Sequence, residues 1–167
     1  YREFREAAAR NFDCDPGQVV PTGGGLEAIR LAIGTHLAPG ERALVPAPSF
    51  GEYAREVRLQ GGEPVFVPGA TILDADTSDA ALAIVCNPNN PTGRGYERAA
   101  LEAFARRCRE SDTTLLVDEA FLSFTERPSL AGREGIVVAR SLTKLYGLPG
   151  LRAGYAVATG ESLDRLS

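Results

Sequence analysis

A single lysine, Lys144, stands in a chain that otherwise carries its positive charges on arginine. It ends the run Ser141-Leu142-Thr143-Lys144, and Arg152 follows eight residues later. A buried lysine amine can lose its proton and attack a carbonyl carbon, whereas a guanidinium stays charged. These residue types therefore predict a ligand with a carbonyl group that is held through Lys144. The alternative is that an arginine-rich composition has left one lysine without a role.

A glycine run, Gly23-Gly24-Gly25, comes directly before a predicted helix that begins near Leu26. The free backbone N–H groups and the positive dipole end of such a helix suit a phosphate group. Glycines at a helix start also relieve steric crowding. The motif alone therefore leaves a phosphate site and a purely structural turn both open.

Two further polar groups follow predicted buried strands. The run 87–93, Asn-Pro-Asn-Asn-Pro-Thr-Gly, comes after the strand 82–86, and its prolines fix a turn from which an amide can donate a hydrogen bond. Asp118 comes after the strand 115–117, and a buried carboxylate needs a compensating partner. A protonated ring nitrogen would be such a partner, although the carboxylate could instead cap the next turn.

These groups together describe one ligand. Hydroxyls at Ser141 and Thr143 and the guanidinium of Arg152 suit a phosphate dianion, and the amine of Lys144 suits an aldehyde. An aromatic ring with a basic nitrogen, a phenolic oxygen, an aldehyde and a phosphate is pyridoxal 5'-phosphate. The sequence therefore predicts this cofactor.

Alternating helical and strand patterns predict the scaffold. Six apolar runs, most of them near-continuous, indicate strands buried on both faces. They are 43–45, 64–67, 82–86, 115–117, 136–139 and 155–158. Helical spacing predicts helices over 4–12, 26–37, 53–60 and 97–109, whereas 69–81 gives no clear element. We expect an α/β fold, a three-layer α/β/α sandwich around a mostly parallel sheet.

Composition limits the function classes. The 167 residues fit one domain, and a net charge of -4 with interspersed signs does not favour nucleic acid as a partner. We expect no membrane association, because no run approaches the length of about 20 apolar residues that spans a bilayer. The absence of a signal-peptide pattern and of paired cysteine spacings predicts a cytoplasmic protein. A start within a helical pattern at Tyr1 and an end within another at Ser167 predict a piece of a longer chain.

The motifs Asn-Pro-x-Asn-Pro-Thr-Gly, Asp-Glu-Ala and Ser-x-x-Lys together resemble the large domain of fold-type I pyridoxal-phosphate enzymes, the class I/II aminotransferase family. The resemblance runs through nearly the whole chain. It implies that residues 1–167 form the cofactor-binding large domain, without the N-terminal arm and the small C-terminal domain. It also implies a small amino substrate and a homodimer in the full-length protein.

The resemblance assigns expected roles at the matching positions. Lys144 would form a Schiff base with the cofactor, and Asp118 would keep the pyridine nitrogen protonated. Asn90 would donate to the phenolic oxygen, and Phe50 would stack on the ring. The phosphate would be held by Gly24, Gly25, Leu26, Ser141, Thr143 and Arg152.

Two subfamilies fit the motifs. The strings 50–53, 118–124 and 140–152 look more like threonine-phosphate decarboxylase of cobalamin biosynthesis than like histidinol-phosphate aminotransferase. Typical aminotransferases of the family carry a tyrosine at the position of Phe121, and phenylalanine cannot donate a hydrogen bond. An aminotransferase-like sensor domain of a transcription regulator is an alternative of a different class. Glu119 has no expected role, because strand alternation turns it away from the ring.

Overall fold

The protein forms a seven-stranded sheet with helices on both faces. The structure is a computed structural model that describes residues 1–12, 14–147 and 149–166. The strands are β1 (Val19–Thr22), β2 (Arg42–Ala47), β3 (Glu63–Pro68), β4 (Leu82–Cys86), β5 (Thr114–Asp118), β6 (Ile136–Ser141) and β7 (Gly154–Val157). The helices are α1 (Arg2–Arg10), α2 (Gly25–His36), α3 (Glu52–Leu59), α4 (Arg98–Glu110), α5 (Leu142–Leu145) and α6 (Gly160–Leu166).

The strand order is β1-β7-β6-β5-β4-β2-β3. The pairs from β6 to β3 are parallel, whereas β7 runs antiparallel to both of its neighbours, β1 and β6. The prediction of a mostly parallel sheet is confirmed. All six predicted strands are present, but β1 was not predicted, because it has four residues and contains Pro21. A proline is tolerated there, since β1 lies at the edge of the sheet.

Alternate strand residues pack into two separate cores. In β5, Leu115 and Val117 face one core with α1 and α4, and Leu116 faces the other with α2 and α3. This alternation follows from the two-residue period of a strand. The three-layer α/β/α sandwich is therefore confirmed. The alternation continues through the residues at the end of a strand and directly after it. Neighbours in the chain therefore point to opposite faces of the sheet there.

The four predicted helices are confirmed, with ends that differ from the predictions by a few residues. The segment without a predicted element holds a short 3-10 helix, Ile72–Asp74, whose Ile72 side chain is fully buried against α4 and the sheet. Of the helices in the described part of the chain, none combines the length and the apolar character that a membrane crossing requires.

Candidate active site

A cavity of about 270 Å³ lies where the parallel strands end. Its wall contains every predicted site residue except Gly24. A larger groove of about 950 Å³ opens at the opposite edge of the sheet, next to the first residues of β5 and β6, and its wall contains none of the predicted residues. Open α/β sheets bind ligands outside the carboxyl ends of their strands, and the smaller cavity has that position.

The glycine loop brings the first turn of α2 against the segment after β6. A Cβ atom at Gly25 would lie 2.9 Å from the Cβ of Ser141, and one at Gly24 would lie 3.0 Å from Nη2 of Arg152. Gly24 also has a φ of 110°, which L side chains rarely adopt. Glycine is therefore favoured at Gly25 by the close contact with Ser141, and at Gly24 by the positive φ as well as by the close contact with Arg152. Although Gly24 does not line the cavity, it lets Arg152 approach the start of the helix.

Arg152 and Ser141 complete the polar end of the cavity with Thr143. Arg152 has a φ of 44°, a left-handed backbone conformation that costs energy in a residue other than glycine. Such strain is typical of functional sites. A guanidinium, two hydroxyls and the N-terminal turn of α2 together form a surface that suits a phosphate dianion. Leu148, part of the motif that precedes Arg152, lies outside the described residues.

Lys144 lies at the rim of the cavity, on the one-turn helix α5. Its Nζ atom is 5.3 Å from the centre of the Phe121 ring, a distance at which an ammonium group interacts with the face of an aromatic ring. The Lys144 side chain is exposed, since it lies on the open side of the cavity.

Asp118 lies at the floor of the cavity and is 6% exposed. Its Oδ2 atom accepts a hydrogen bond of 2.6 Å from the Tyr53 hydroxyl, and Oδ1 accepts one of 2.9 Å from the Ala120 backbone N–H. Burial raises the pKa of Asp118, and the two hydrogen bonds and the charges of Arg140 and Lys144 oppose that shift. The ion pairs found among the described residues all use other carboxylates.

The asparagines of the turn after β4 divide into structural and cavity-facing residues. Asn87 accepts from the Tyr96 backbone N–H, and Asn89 donates to Pro48 and Thr92, so both amides are used within the protein. Both are almost fully buried. Asn90, in contrast, lines the cavity. The prediction that Asn90 is the asparagine of the site agrees with this division.

Aromatic side chains form another side of the cavity. Phe50 meets Tyr53 edge to face, with ring centres 5.5 Å apart, and Phe121 lies beneath Lys144. Tyr53 is fully buried, and burial followed by the charge of Asp118 raises the pKa of its phenol well above the ordinary value. Sequence reasoning missed Tyr53. The available signal was an aromatic residue in the first turn of α3, three positions after Phe50.

Glu119 and Arg140 form a buried ion pair of 3.0 Å on the other face of the sheet. The prediction that Glu119 points away from the cavity agrees with this position. Its pairing with Arg140 was not predicted, since the two residues are 21 positions apart.

Comparison with known proteins identifies relatives of this chain. The family model for aminotransferase class I and II matches residues 1–167. A threonine-phosphate decarboxylase from Sinorhizobium sp is 40% identical over 94% of this chain and 47% of its own length. A histidinol-phosphate aminotransferase from Symbiobacterium thermophilum is 35% identical over 99% of this chain and 49% of its own length.

Solved structures show the same similarity. The crystal structure of L-threonine-O-3-phosphate decarboxylase from Porphyromonas gingivalis superposes with a TM-score of 0.87 at 30% identity, covering 99% of this chain and 54% of that one. The chain thus spans about half the length of the curated relatives that it matches.

Proposed function

The chain belongs to the aminotransferase class I and II family, and from that premise we propose that it is the cofactor-binding large domain of an L-threonine-O-3-phosphate decarboxylase. Pyridoxal phosphate is the cofactor of the family. The activity, the substrate and a homodimeric assembly are proposals for the whole protein, of which these residues form the part that holds the cofactor.

The cavity fits pyridoxal phosphate in its chemistry. The phosphate-binding groups, Ser141, Thr143, Arg152 and the first turn of α2, lie together at one end. The buried Asp118 faces the same cavity, and a carboxylate in that position is stabilised by a cationic partner such as a protonated ring nitrogen. Lys144 stands at the rim, where an amine can reach an aldehyde. Each functional group of the cofactor therefore has a matching group in the wall.

The residues that line the cavity would have separate roles in binding the cofactor. Lys144 would hold the cofactor covalently through Nζ, and Asp118 would keep a proton on the ring nitrogen by its negative charge. Asn90 would donate to the phenolic oxygen, and Phe50 would cover one face of the ring and exclude water from it. Bound in this way, the cofactor supplies an electron-accepting ring for a bond at the substrate α carbon.

The observation that carries the proposal is the convergence of Lys144, Asp118 and Arg152 on one cavity, although they come from three separate segments of the chain. A lone lysine at that position would have several explanations. A lysine that shares a cavity with a buried carboxylate and a phosphate-type surface has few explanations. Covalent binding of pyridoxal phosphate is one of them, and the family membership is consistent with it.

The choice of decarboxylation rests on two observations. Threonine-phosphate decarboxylases are among the relatives, with identities of 34% and 40%. Phe121 lines the cavity and cannot donate to the phenolic oxygen, whereas the resemblance places a tyrosine donor there in typical aminotransferases. Histidinol-phosphate aminotransferase remains the second candidate, because relatives with that name are 31–35% identical.

A direct assay separates the two reactions. We would incubate the full-length protein and pyridoxal phosphate with L-threonine O-3-phosphate, and separately with histidinol phosphate plus 2-oxoglutarate. We expect carbon dioxide from the first mixture and no glutamate from the second. The Lys144→Ala variant, which has no amine at this position, serves as the control and should release neither product.

Glutamate from the second mixture without carbon dioxide from the first would contradict the decarboxylase assignment and favour the aminotransferase. Neither product from a protein that still binds the cofactor would contradict both activities and favour a sensor role.

A further inference from the structure

The ion pair between Glu119 and Arg140 lies directly behind the cavity, on the face of the sheet that packs against α1 and α4. Nη1 of Arg140 is 3.0 Å from Oε2 of Glu119, and the residues are only 8% and 1% exposed. Neither side chain lines the cavity. Because the pair does not line the cavity, any effect on the site must act through its neighbours.

Each partner is held by further hydrogen bonds. Glu119 accepts from the Ser129 hydroxyl at 2.5 Å and from the Leu130 backbone N–H at 2.8 Å. Arg140 donates through Nη2 to the Ser123 hydroxyl at 2.8 Å. Its guanidinium carbon also lies 5.0 Å from the centre of the Phe12 ring. A buried ion pair with its remaining donors and acceptors satisfied is rigid, because any movement would break several bonds at once.

The pair joins the ends of two strands that deliver site residues. Glu119 directly follows Asp118 at the end of β5, and Arg140 directly precedes Ser141 at the end of β6. The Glu119 backbone N–H donates to Ala139 at 2.9 Å, which continues the β5 and β6 ladder beyond the last strand residue. A side-chain ion pair on one face of the sheet thus links the chain neighbours of Asp118 and Ser141, whose side chains line the cavity on the other face.

We propose that Glu119 and Arg140 are positioning residues, which set the distance between the carboxylate of Asp118 and the hydroxyl of Ser141 in the cavity. This inference rests on the proposed function, in which Asp118 holds the ring end of the cofactor and Ser141 its phosphate end. Both ends of a rigid ligand bind well only when the protein groups are placed correctly before binding, so loosening the pair weakens the binding of the cofactor.

A second buried carboxylate provides a matched control. Glu56 on α3 is 2% exposed and accepts from Arg30 at 2.9 and 3.0 Å and from Arg55 at 2.8 Å. It has the same chemistry as Glu119 but joins two helices, and neither it nor its partners line the cavity. Replacing either glutamate by glutamine removes a buried charge with almost no change of shape, so a general loss of stability should appear in both variants.

The test compares Glu119→Gln with Glu56→Gln in the full-length protein. Three quantities would be measured: the dissociation constant of pyridoxal phosphate, the pH midpoint of the visible absorption of the lysine-bound cofactor, and the midpoint of thermal unfolding. Loss of an outer residue that orients a ligand typically lowers affinity about 10–100-fold at metal sites. We expect Glu119→Gln to weaken cofactor binding about tenfold and to shift the absorption midpoint. Glu56→Gln should lower the unfolding midpoint and leave the other two quantities at their wild-type values.

Arg140→Lys provides a second variant for the case in which Glu119→Gln does not fold. A lysine keeps the charge opposite Glu119 but cannot bind Ser123 at the same time, because it lacks the two-nitrogen fork of arginine. We expect a folded protein with an increased cofactor dissociation constant. Wild-type binding and absorption in every folded variant of the pair would overturn the positioning role. Failure of the wild-type protein to bind the cofactor at Lys144 would instead overturn the proposed function, and the two failures are therefore distinguishable.

Discussion

Asp118 and Glu119 are neighbours in the chain, but the two faces of the sheet provide different partners for their carboxylates. Glu119 has a guanidinium, a hydroxyl and a backbone N–H as partners. Asp118 has a neutral phenol and one backbone N–H, and it borders a cavity. Burial raises the pKa of both carboxyls. The protein itself therefore compensates the charge of Glu119 with Arg140, whereas a cationic ligand could complete the compensation of Asp118.

In the proposed function, this difference separates a structural carboxylate, Glu119, from a cofactor-binding one, Asp118. A buried charge that is fully paired adds rigidity, whereas one that faces a cavity with incomplete compensation is destabilising until a ligand arrives. Proteins commonly accept such a cost at binding sites. Loss of the Glu119 charge should therefore lower stability, whereas loss of the Asp118 charge should impair the function of the cofactor without lowering stability.

The largest expected effect is the loss of stability in Arg140→Leu. This substitution leaves Glu119 buried without its cation, which typically costs about 3–5 kcal/mol. Urea unfolding monitored by circular dichroism would measure it. The double variant Glu119→Gln with Arg140→Leu should recover a large part of the loss, because no unpaired charge remains. A double variant as unstable as the sum of the single ones would contradict the importance of the pair.

The next effect is on turnover in Asp118→Asn. An amide has no negative charge to keep a proton on the ring nitrogen, and loss of one such electrostatic group typically lowers kcat about 10²–10³-fold. The free energy of unfolding of the cofactor-free protein should stay the same or increase, since a buried charge is removed while Tyr53 keeps an acceptor. Steady-state kinetics and urea unfolding would measure the two quantities. Full activity together with a loss of stability would assign Asp118 a structural role.

A smaller effect is expected in Tyr53→Phe, which removes the 2.6 Å hydrogen bond to Asp118. Hydrogen bonds to charged groups typically contribute about 1.5–3 kcal/mol. Tyr96→Phe is the matched control, because the Tyr96 hydroxyl donates to the neutral backbone carbonyl of Gly69, also at 2.6 Å. A neutral bond typically contributes about 0.5–1.5 kcal/mol. Equal losses of unfolding free energy in the two variants would show that Asp118 carries no charge in the folded protein.

The smallest effect is a pH dependence. It concerns the difference in the free energy of unfolding between the wild-type protein and Asp118→Asn. The folded protein holds the proton of Asp118 more tightly than the unfolded chain does, because burial raises its pKa above the ordinary 3.8. Stability from this group is present at low pH and is lost as the pH rises through the folded pKa. The variant should therefore gain stability relative to wild type as the pH rises above about 4. Urea unfolding at a series of pH values would show it, and a constant difference would contradict the raised pKa.

Local sequence patterns were sufficient for the parts of the site that follow a strand or open a helix. Asp118, Asn90 and Lys144 each belong to such a segment, and parallel strands bring their carboxyl ends to one edge. The partners that adjust these residues were not predicted. Tyr53 is 65 positions from Asp118, and no periodicity in the segment around either residue links the two.

Contacts between distant segments could not be predicted from the sequence either. The pairing of Glu119 with Arg140 depends on the register between β5 and β6, which no local pattern specifies. Strand β1 is short, contains Pro21 and is recognisable only by its pairing with β7. The exposure of Lys144 depends on how α5 lies at the rim of the cavity. Each of these features is a property of packing and not of a single segment.

Reductive trapping tests the central claim that Lys144 holds the cofactor. The full-length protein would be incubated with pyridoxal phosphate, reduced with borohydride, digested and analysed by mass spectrometry. We expect the phosphopyridoxyl group on the peptide that contains Lys144, and we expect Lys144→Arg, which keeps the charge but cannot form the bond, to lose it. A phosphopyridoxyl group on another residue of the wild-type protein, or an unchanged yield in Lys144→Arg, would contradict the claim.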